Sequence, residues 1–558
     1  MNKEQLITVC SIIFSLTIPI TSIKILAIIY ILLFTTFNIR MSDTLFSLIK
    51  ALSTGEKIHF KRNAKRQAGD KDPAYLQLFD VIDKMDDYDK DAILAKLKNK
   101  KFTSDYAEIR SYLRELLIEF IQEYNTEKSI PRKAIKQFRK AQALYEKGLF
   151  ADAHELLKKS KELAETYQLQ DALYYIYTQE IQLCSGSETT NRIEKLALKH
   201  HERKKTIENL GLINEAETVF NILHFLYMET PSSRDEEIIA QAGGLYKQLQ
   251  QLPQSDIFYP QLLKQLSASL YHNLTQNYAE MYESYKTALQ LYEANIQMKE
   301  RYGSLYLNTL KNYLASSHYY RNYNEYQYLL NKLSESIRHL KGMFKIFPQL
   351  FLCYLKLDIL ITRGEADVAI HYMLENKKKE LRASQSIFNI SIQFKQLHQY
   401  AFLFFLNADY KNANQYLNII LNKFDLQMKG RSDLFFTAKL MKLMITFELG
   451  DFLLLNDLLL SIQQYFARHN KLYELEKILF SHFKTLEKNT AVKSNATADW
   501  NQLKNLLQKF DPYFLLEFIG FDIMAWVDSK IHNRPMKDII KEKAQQYYPD
   551  IFKVEIIL

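Results

Sequence analysis

Residues 144–163 of the chain have the sequence LYEKGLFADAHELLKKSKEL. Gly148 separates two amphipathic runs, Phe150 follows two residues later, and Ala153 comes three residues after Phe150. A glycine just past a helix end adopts the left-handed backbone that other residues avoid. A small residue three positions into the next helix lets two helices cross closely. The stretch therefore predicts a helical hairpin in which Phe150 packs over the turn.

The same pattern recurs along the chain at a regular interval. We take as a marker the residue two positions after the glycine-like residue. The last four steps between markers are 45, 43, 44 and 42 residues, and the first gap of 128 residues is about three times 43. A sustained period of this size is typical of solenoids built from stacked helical hairpins. The six markers are Phe150, Tyr278, Tyr323, Ala366, Tyr410 and Phe452.

The composition also favours helices. The 558 residues include only 13 Gly and 10 Pro, whereas strand-rich folds need many tight turns. We therefore predict an all-α fold, an α-solenoid of about eight stacked helical hairpins. Two of these hairpins must lie between residues 165 and 275. There the segments 212–227 and 236–249 have helical patterns, and Gly243-Gly244 predicts a kink or a helix end.

These segments resemble tetratricopeptide repeats, in which a Gly-x-aromatic-x-x-Ala run joins helix A to helix B. The resemblance covers roughly residues 140–470 and implies a groove that binds other proteins. The chain departs from the family because the Trp, Leu-Gly and Tyr signature of helix A is mostly absent. Its period is also nearer 43 than the ~34 residues of the family. The matching residues are Gly148, Phe150, Ala153 and Ser160, Tyr410 and Ala413, and in part Tyr278 and Ala288.

The first forty residues differ in composition from the rest. Between Leu6 and Phe37 the only charged residue is Lys24. One interpretation is a membrane anchor over roughly Ile18–Phe37, with the following basic residues keeping the remainder of the chain in the cytoplasm. The other is a misassigned extension upstream of a true start at Met41. Both interpretations stay open, whereas a signal peptide is disfavoured because no small-residue cleavage site follows the apolar run.

We predict four regions. Residues 1–40 are an apolar segment, either an anchor helix or an extension, and residues 41–130 are an N-terminal helical region. Residues 131–495 are the tetratricopeptide-like repeats, and residues 496–558 are a C-terminal helical cap over the last repeat. In the cap, Asn533 is expected to end one helix and Pro535 to open the last one.

The sequence contains no recognisable catalytic, cofactor-binding or metal-binding motif. The series Asp87-x-Asp89-x-Asp91 resembles the start of a calcium loop, but Ala92 and Lys98 stand where that loop needs Gly and Glu. We therefore expect a polar loop that caps the next helix. The three cysteines have no metal-ligand spacing, and the net charge of +9 is scattered along the chain. No enzyme activity, no cofactor, no small-molecule substrate and no nucleic acid partner are expected.

We therefore predict a cytoplasmic, non-enzymatic scaffold that binds a protein or peptide in the groove of the solenoid. Candidate groove residues are exposed polar positions on the first helices of the hairpins, namely Asn273, Gln276, Asn312 and His318. The alternative is a membrane-anchored assembly or sensor subunit, associated with the membrane through residues 1–40, whose repeat domain faces the cytoplasm.

Overall fold

The computed structural model describes residues 44–68, 73–85, 88–97, 100–126, 129–185, 191–229, 236–338, 340, 343–385, 390–424, 432–468, 472–490 and 496–556. Within these ranges the chain forms 26 α-helices and one short 3-10 helix, without any strand. The all-α prediction is therefore confirmed. Residues 1–40, and with them the predicted apolar helix, lie outside the described residues. Among the helices of the described ranges, none combines the length and apolar composition that crossing a bilayer requires.

The chain divides into two compact units, one ending at Lys128 and the other spanning Ser129–Leu558. The predicted cap belongs to the second unit together with the repeats. In the first unit the described helices are α1 (Thr44–Ala51), α2 (Thr54–Ala68), α3 (Ala74–Asp83), α4 (Lys90–Lys96) and α5 (Lys100–Thr126).

Two N-caps define helix starts in the first unit. At α2 the N–H of Ser53 donates to Glu56 Oε2 at 2.8 Å, and the N–H of Glu56 donates to Ser53 Oγ at 3.3 Å. This reciprocal pair is a capping box. At α4 the carboxylate of Asp89 accepts from the N–H groups of Asp91 and Ala92 at 2.9 and 3.1 Å. Asp89 is therefore the predicted helix cap of the acidic loop.

The second unit contains the remaining helices. They are α6 (Ile130–Glu146), α7 (Phe150–Thr166), α8 (Gln170–Ser185), α9 (Arg192–Glu229), α10 (Glu236–Gln250), α11 (Phe258–Leu274), α12 (Tyr278–Ala294), α13 (Gln297–Arg301), α14 (Gly303–Tyr319), α15 (Tyr326–Arg338), α16 (Met343–Thr362), α17 (Ala366–Gln385), α18 (Ile390–Leu406), α19 (Tyr410–Phe424), α20 (Ser432–Glu448), α21 (Phe452–Arg468), α22 (Glu474–Thr490), α23 (Ala496–Leu507), α24 (Pro512–Ile519), α25 (Ile523–His532), α26 (Met536–Tyr547) and the 3-10 helix η1 (Pro549–Lys553).

The turns before the six markers share one backbone conformation. Each contains a left-handed residue, and the N–H after it donates to a carbonyl five residues earlier, as from Leu149 to Leu144 at 3.0 Å. This is the Schellman pattern, which satisfies carbonyls at a helix end. Every marker except Tyr323 then begins a helix. The left-handed residues are Gly148, Gln276, Arg321, Gly364, Ala408 and Gly450, with φ of 74, 60, 56, 69, 59 and 73°.

The packing of the first hairpin follows from small residues. Ala153 is 1% exposed where α7 crosses α6. Two helix turns further, the buried hydroxyl of Ser160 donates to the carbonyl oxygen of Ala134 at 2.8 Å. Larger side chains at these two positions would separate the helices.

Helices also begin at the interval expected for the two hairpins that lack a sequence marker. From Phe150 to Arg192, Glu236 and Tyr278, the helix starts are separated by 42, 44 and 42 residues. However, α9 runs for 38 residues without a break, so the predicted helix 212–227 is the second half of a longer one.

The prediction that Gly243-Gly244 marks a helix end is wrong, because α10 continues through both glycines. A Cβ on Gly243 would lie 3.9 Å from the ring of Tyr271, and that ring stacks on Tyr246 with 4.4 Å between centroids. The glycine therefore lies in a close contact between α10 and α11.

At the start of the C-terminal region, α23 packs against α22. Asn533, with φ of 49°, ends α25 as the sequence predicts. The chain then returns to the turn between α16 and α17, where the Arg363 guanidinium donates to the backbone carbonyls of Ile551 and Val554. This return places α26 and η1 beside residues almost two hundred positions earlier.

Candidate functional site

The second unit contains a cavity of about 720 Å³, called the cavity below. Most of its wall comes from α11, α14, α16 and α18, with part of α9. Apart from α9, these are helices that precede a left-handed turn, so they correspond to the first helix of each hairpin. Residues of α12, α20 and the C-terminal helices complete the lining. The folded-back C-terminus thus forms part of the cavity.

Lys311 extends into the cavity from the middle of α14. Its Nζ lies 4.7 and 5.3 Å from the ring centroids of Phe347 and Phe351 on α16, and it donates to Asn308 Oδ1 at 3.4 Å. Burial, together with the nearby charge of Lys395, lowers the pKa of Lys311 to about 8. Lys311 is therefore a half-buried cation that lies against aromatic rings.

Arg321 contributes a second cation to the cavity wall. Its guanidinium carbon lies 4.9 Å from the ring centroid of Tyr548. Nη1 donates to Tyr323 Oη at 3.2 Å and to Thr362 Oγ1 at 3.3 Å. Arg321 is also the left-handed residue of its turn, so the backbone and three neighbouring side chains fix its position.

Asp358 is an acidic group of the same wall. Gln399 Nε2 donates to Asp358 Oδ1 at 2.6 Å. Burial raises the pKa of Asp358 to about 7, although the Gln399 hydrogen bond and the charges of Arg321 and Lys395 oppose the rise. Near neutral pH this carboxyl is therefore only partly ionised.

Histidines of the cavity wall carry little charge. Burial lowers the pKa of His398 to about 4, holds that of His318 well below its usual range, and lowers that of His224. All three are predominantly neutral at pH 7. The positive charge of the cavity therefore comes from Lys311, Lys395 and Arg321.

Three of the four candidate groove residues line the cavity, namely Asn273, Asn312 and His318. Two of them are not exposed as predicted, since Asn273 is 9% and His318 5% exposed. Both are packed against neighbouring helices or turns, since Asn273 Nδ2 donates to Met281 Sδ at 3.1 Å and His318 Nδ1 lies 3.2 Å from Tyr323 Oη. Gln276 does not line the cavity and instead occupies the left-handed position of a turn.

Sequence reasoning missed the charged residues of the site. Lys311 lies beside the candidate Asn312, so the helical pattern could have drawn attention to it. Tyr548 had no such signal, because it reaches Arg321 only through the return of the C-terminus.

In the part of the chain that the structure describes, no group of three or more His, Cys, Asp or Glu side chains is arranged to hold a metal ion. Comparison with models of protein families, with curated proteins and with solved structures finds no match for the chain. The cavity and its charges are therefore the basis for a functional proposal.

Proposed function

We propose that residues 129–558 form an α-solenoid of tetratricopeptide-like hairpins, and that the chain is a non-enzymatic scaffold that binds a peptide segment of a partner protein in the cavity. The observation that carries this proposal is the origin of the cavity wall. Successive first helices of the hairpins supply it, and stacked repeats present such helices along one concave surface.

The size and lining of the cavity fit a short segment of a partner. A volume of about 720 Å³ lies within the ~300–1,000 Å³ usual for ligand pockets. A folded domain does not enter such a space, whereas a few side chains of an extended peptide do. The rings of Phe347, Phe351 and Phe394 offer apolar contacts, and Asn312 offers an amide for hydrogen bonding.

Site-specific photo-crosslinking tests this proposal. A benzoylphenylalanine is placed at Phe351 in the cavity and, as a matched control, at Tyr328 on α15, which is 57% exposed and outside the cavity. Crosslinking is carried out in the cells that make the protein, and crosslinked peptides are identified by mass spectrometry. We expect the Phe351 variant to capture a defined peptide that the Tyr328 variant does not. Equal capture by both variants, or none at Phe351, would contradict the proposal.

We also propose that this scaffold acts in the cytoplasm. The two hypotheses for residues 1–40, a membrane anchor and a start at Met41, predict different N-termini for the protein made in cells. Intact mass after cell fractionation separates them. A product starting at Met1 in the membrane fraction supports an anchored subunit, and a product starting at Met41 or Ser42 supports an unanchored scaffold.

A further inference from the structure

We infer that the cavity recognises anionic oxygen groups, carboxylates or phosphates of the peptide ligand, and that Lys311 and Arg321 are two separate cations that such groups can pair with. The inference rests on the proposed function, because it assigns the chemistry of the ligand in the same cavity. Four features of the charged residues carry it.

The first feature is the environment of Lys311. No carboxylate of the described residues lies within 4 Å of its Nζ. The charge that acts on it is that of another cation, Lys395. Withdrawing an ammonium from water without an opposite charge is unfavourable, and the Phe347 and Phe351 rings offset part of that cost. An anion in the cavity would supply the missing charge.

The second feature is the contrast with two other half-buried lysines of this unit, Lys332 and Lys199, whereas Lys442 resembles Lys311 in having a lowered pKa. Lys332 pairs with Glu293 at 2.5 Å. Lys199 lies 3.0 Å from Glu180 and 2.9 Å from Glu202. Carboxylates raise the pKa of Lys332, whereas the pKa of Lys311 is lowered. The fold thus provides these two lysines with carboxylates but does not provide one for Lys311.

The third feature is the orientation of Arg321. Arg321 donates both of its hydrogen bonds to described residues from Nη1. The N–H groups of Nη2 and Nε can therefore donate to a ligand. A guanidinium with two donors on one edge matches the oxygen atoms of a carboxylate or phosphate.

The fourth feature is the state of the nearby acids. Asp522 accepts from the N–H of Ala525 at 2.9 Å and lies 3.6 Å from Lys543. Asp358 is held by Gln399 and is partly protonated near neutral pH. Neither acid lies within ion-pair distance of Arg321. Positive charge therefore exceeds negative charge in the cavity.

The test is affinity selection from synthetic 12-residue peptide pools, using the full chain. One pool has a fixed Glu and an amidated C-terminus, a second has Gln and a free C-terminus, and a third has Gln and an amidated C-terminus. A fourth pool carries a phosphoserine with an amidated C-terminus. Peptides retained by the protein after gel filtration are quantified by mass spectrometry.

We expect the anionic pools to be retained at least tenfold more than the neutral pool, since a hydrogen bond to a charged group changes affinity by roughly ten- to a hundredfold. Comparison of the three anionic pools identifies whether the anion is a side-chain carboxylate, the C-terminal carboxylate or a phosphate. Equal retention of neutral and anionic pools would overturn the inference but leave the proposed function standing. Retention of no pool would contradict both.

Two variants link any preference to the residues. Lys311→Met keeps the apolar stem against the rings, and Arg321→Gln keeps the turn, because Gln276 adopts the same left-handed conformation. Each should reduce the preference for anionic peptides about tenfold or more. Lys204→Met is the matched control, because Lys204 has a side chain that is 75% exposed outside the cavity. A wild-type preference in both cavity variants would refute the assignment.

A direct measurement on Lys311 does not depend on knowing the ligand. At pH 8 about half of its amine is in the neutral, nucleophilic form, so trace acetic anhydride should acetylate it readily. Inorganic phosphate at millimolar concentration should slow Lys311 and leave Lys204 unchanged. If phosphate and the anionic peptides all fail to protect Lys311, the anion does not bind there and the inference fails.

Discussion

Substituting Gly364 with alanine should disrupt the contact between α26 and the turn that joins α16 to α17. Gly364, Gly148 and Gly450 occupy the same left-handed turn position, with φ of 69, 74 and 73°. A Cβ on Gly148 or Gly450 would meet no atom within 4 Å. A Cβ on Gly364 would collide with the backbone carbonyl of Lys537 and lie 2.9 Å from the Cβ of Lys541, both in α26. The three glycines therefore have the same backbone conformation and differ in how closely other atoms approach the Cβ position.

This difference sets the expected magnitudes. An alanine in the left-handed region costs about 1–2 kcal/mol at each of the three positions. The chain tolerates that cost elsewhere, because Ala408 is left-handed with φ of 59°. At Gly364 the displacement of α26 adds an overpacking cost of about 1–3 kcal/mol. We therefore expect Gly364→Ala to lower the free energy of unfolding by about 2–5 kcal/mol in total, and Gly450→Ala by about 1–2 kcal/mol.

Hydrogen exchange with urea unfolding measures both effects. In Gly364→Ala, amides of residues 536–554 should exchange at least tenfold faster than in the wild type, because this segment loses its packing. In Gly450→Ala they should be unchanged while the urea midpoint falls slightly. If the two variants lost equal stability and left exchange in residues 536–554 unaltered, the fold-back of the C-terminus would be refuted.

Two further predictions concern buried charges. Burial lowers the pKa of His398 to about 4 in the folded protein, whereas a histidine of the unfolded chain has a pKa of ~6.5. Between these two pH values the unfolded chain binds a proton that the folded protein does not. The free energy of unfolding should therefore fall by up to about 3 kcal/mol as the pH is lowered from 6.5 to 4. His398→Gln should flatten that dependence in melting temperatures measured across this range, and an unchanged slope would exclude His398 as its source. Glu448 accepts from the Trp526 indole at 2.8 Å and pairs with Lys530 at 2.5 Å. Glu448→Ala should cost about 3 kcal/mol by urea unfolding. Glu542→Ala, which removes an exposed ion pair, should cost much less stability than Glu448→Ala, and equal losses would contradict this ranking.

The turns could be predicted because their causes are local. A Schellman turn forms its hydrogen bonds within about six residues. The regular spacing between these turns is therefore visible in the sequence, even where Gln276, Arg321 or Ala408 occupies the position of the glycine. The continuity of α9 could not be predicted in this way. The predicted helix 212–227 begins just after Gly211, but α9 continues through this glycine without a turn.

The site was predicted in part, for a similar reason. The helical period places Asn273, Asn312 and His318 on the first helices of hairpins, and all three line the cavity. The cavity that they line also includes residues between 516 and 548, which are far away in sequence. The pairing of Lys311 with Phe347 and Phe351 likewise depends on how two hairpins stack, and no local pattern records it.

The sequence by itself determined that the chain is helical, where most hairpin turns fall and which faces are apolar. These properties depend on backbone preferences and on side-chain periodicity over a few residues. Only the tertiary structure decided that the C-terminus returns to Arg363 and helps to enclose a cavity with Lys311 and Arg321 in its wall. Enclosure and the balance of charge depend on contacts between residues up to about two hundred positions apart, so they arise from packing and cannot be inferred from local sequence.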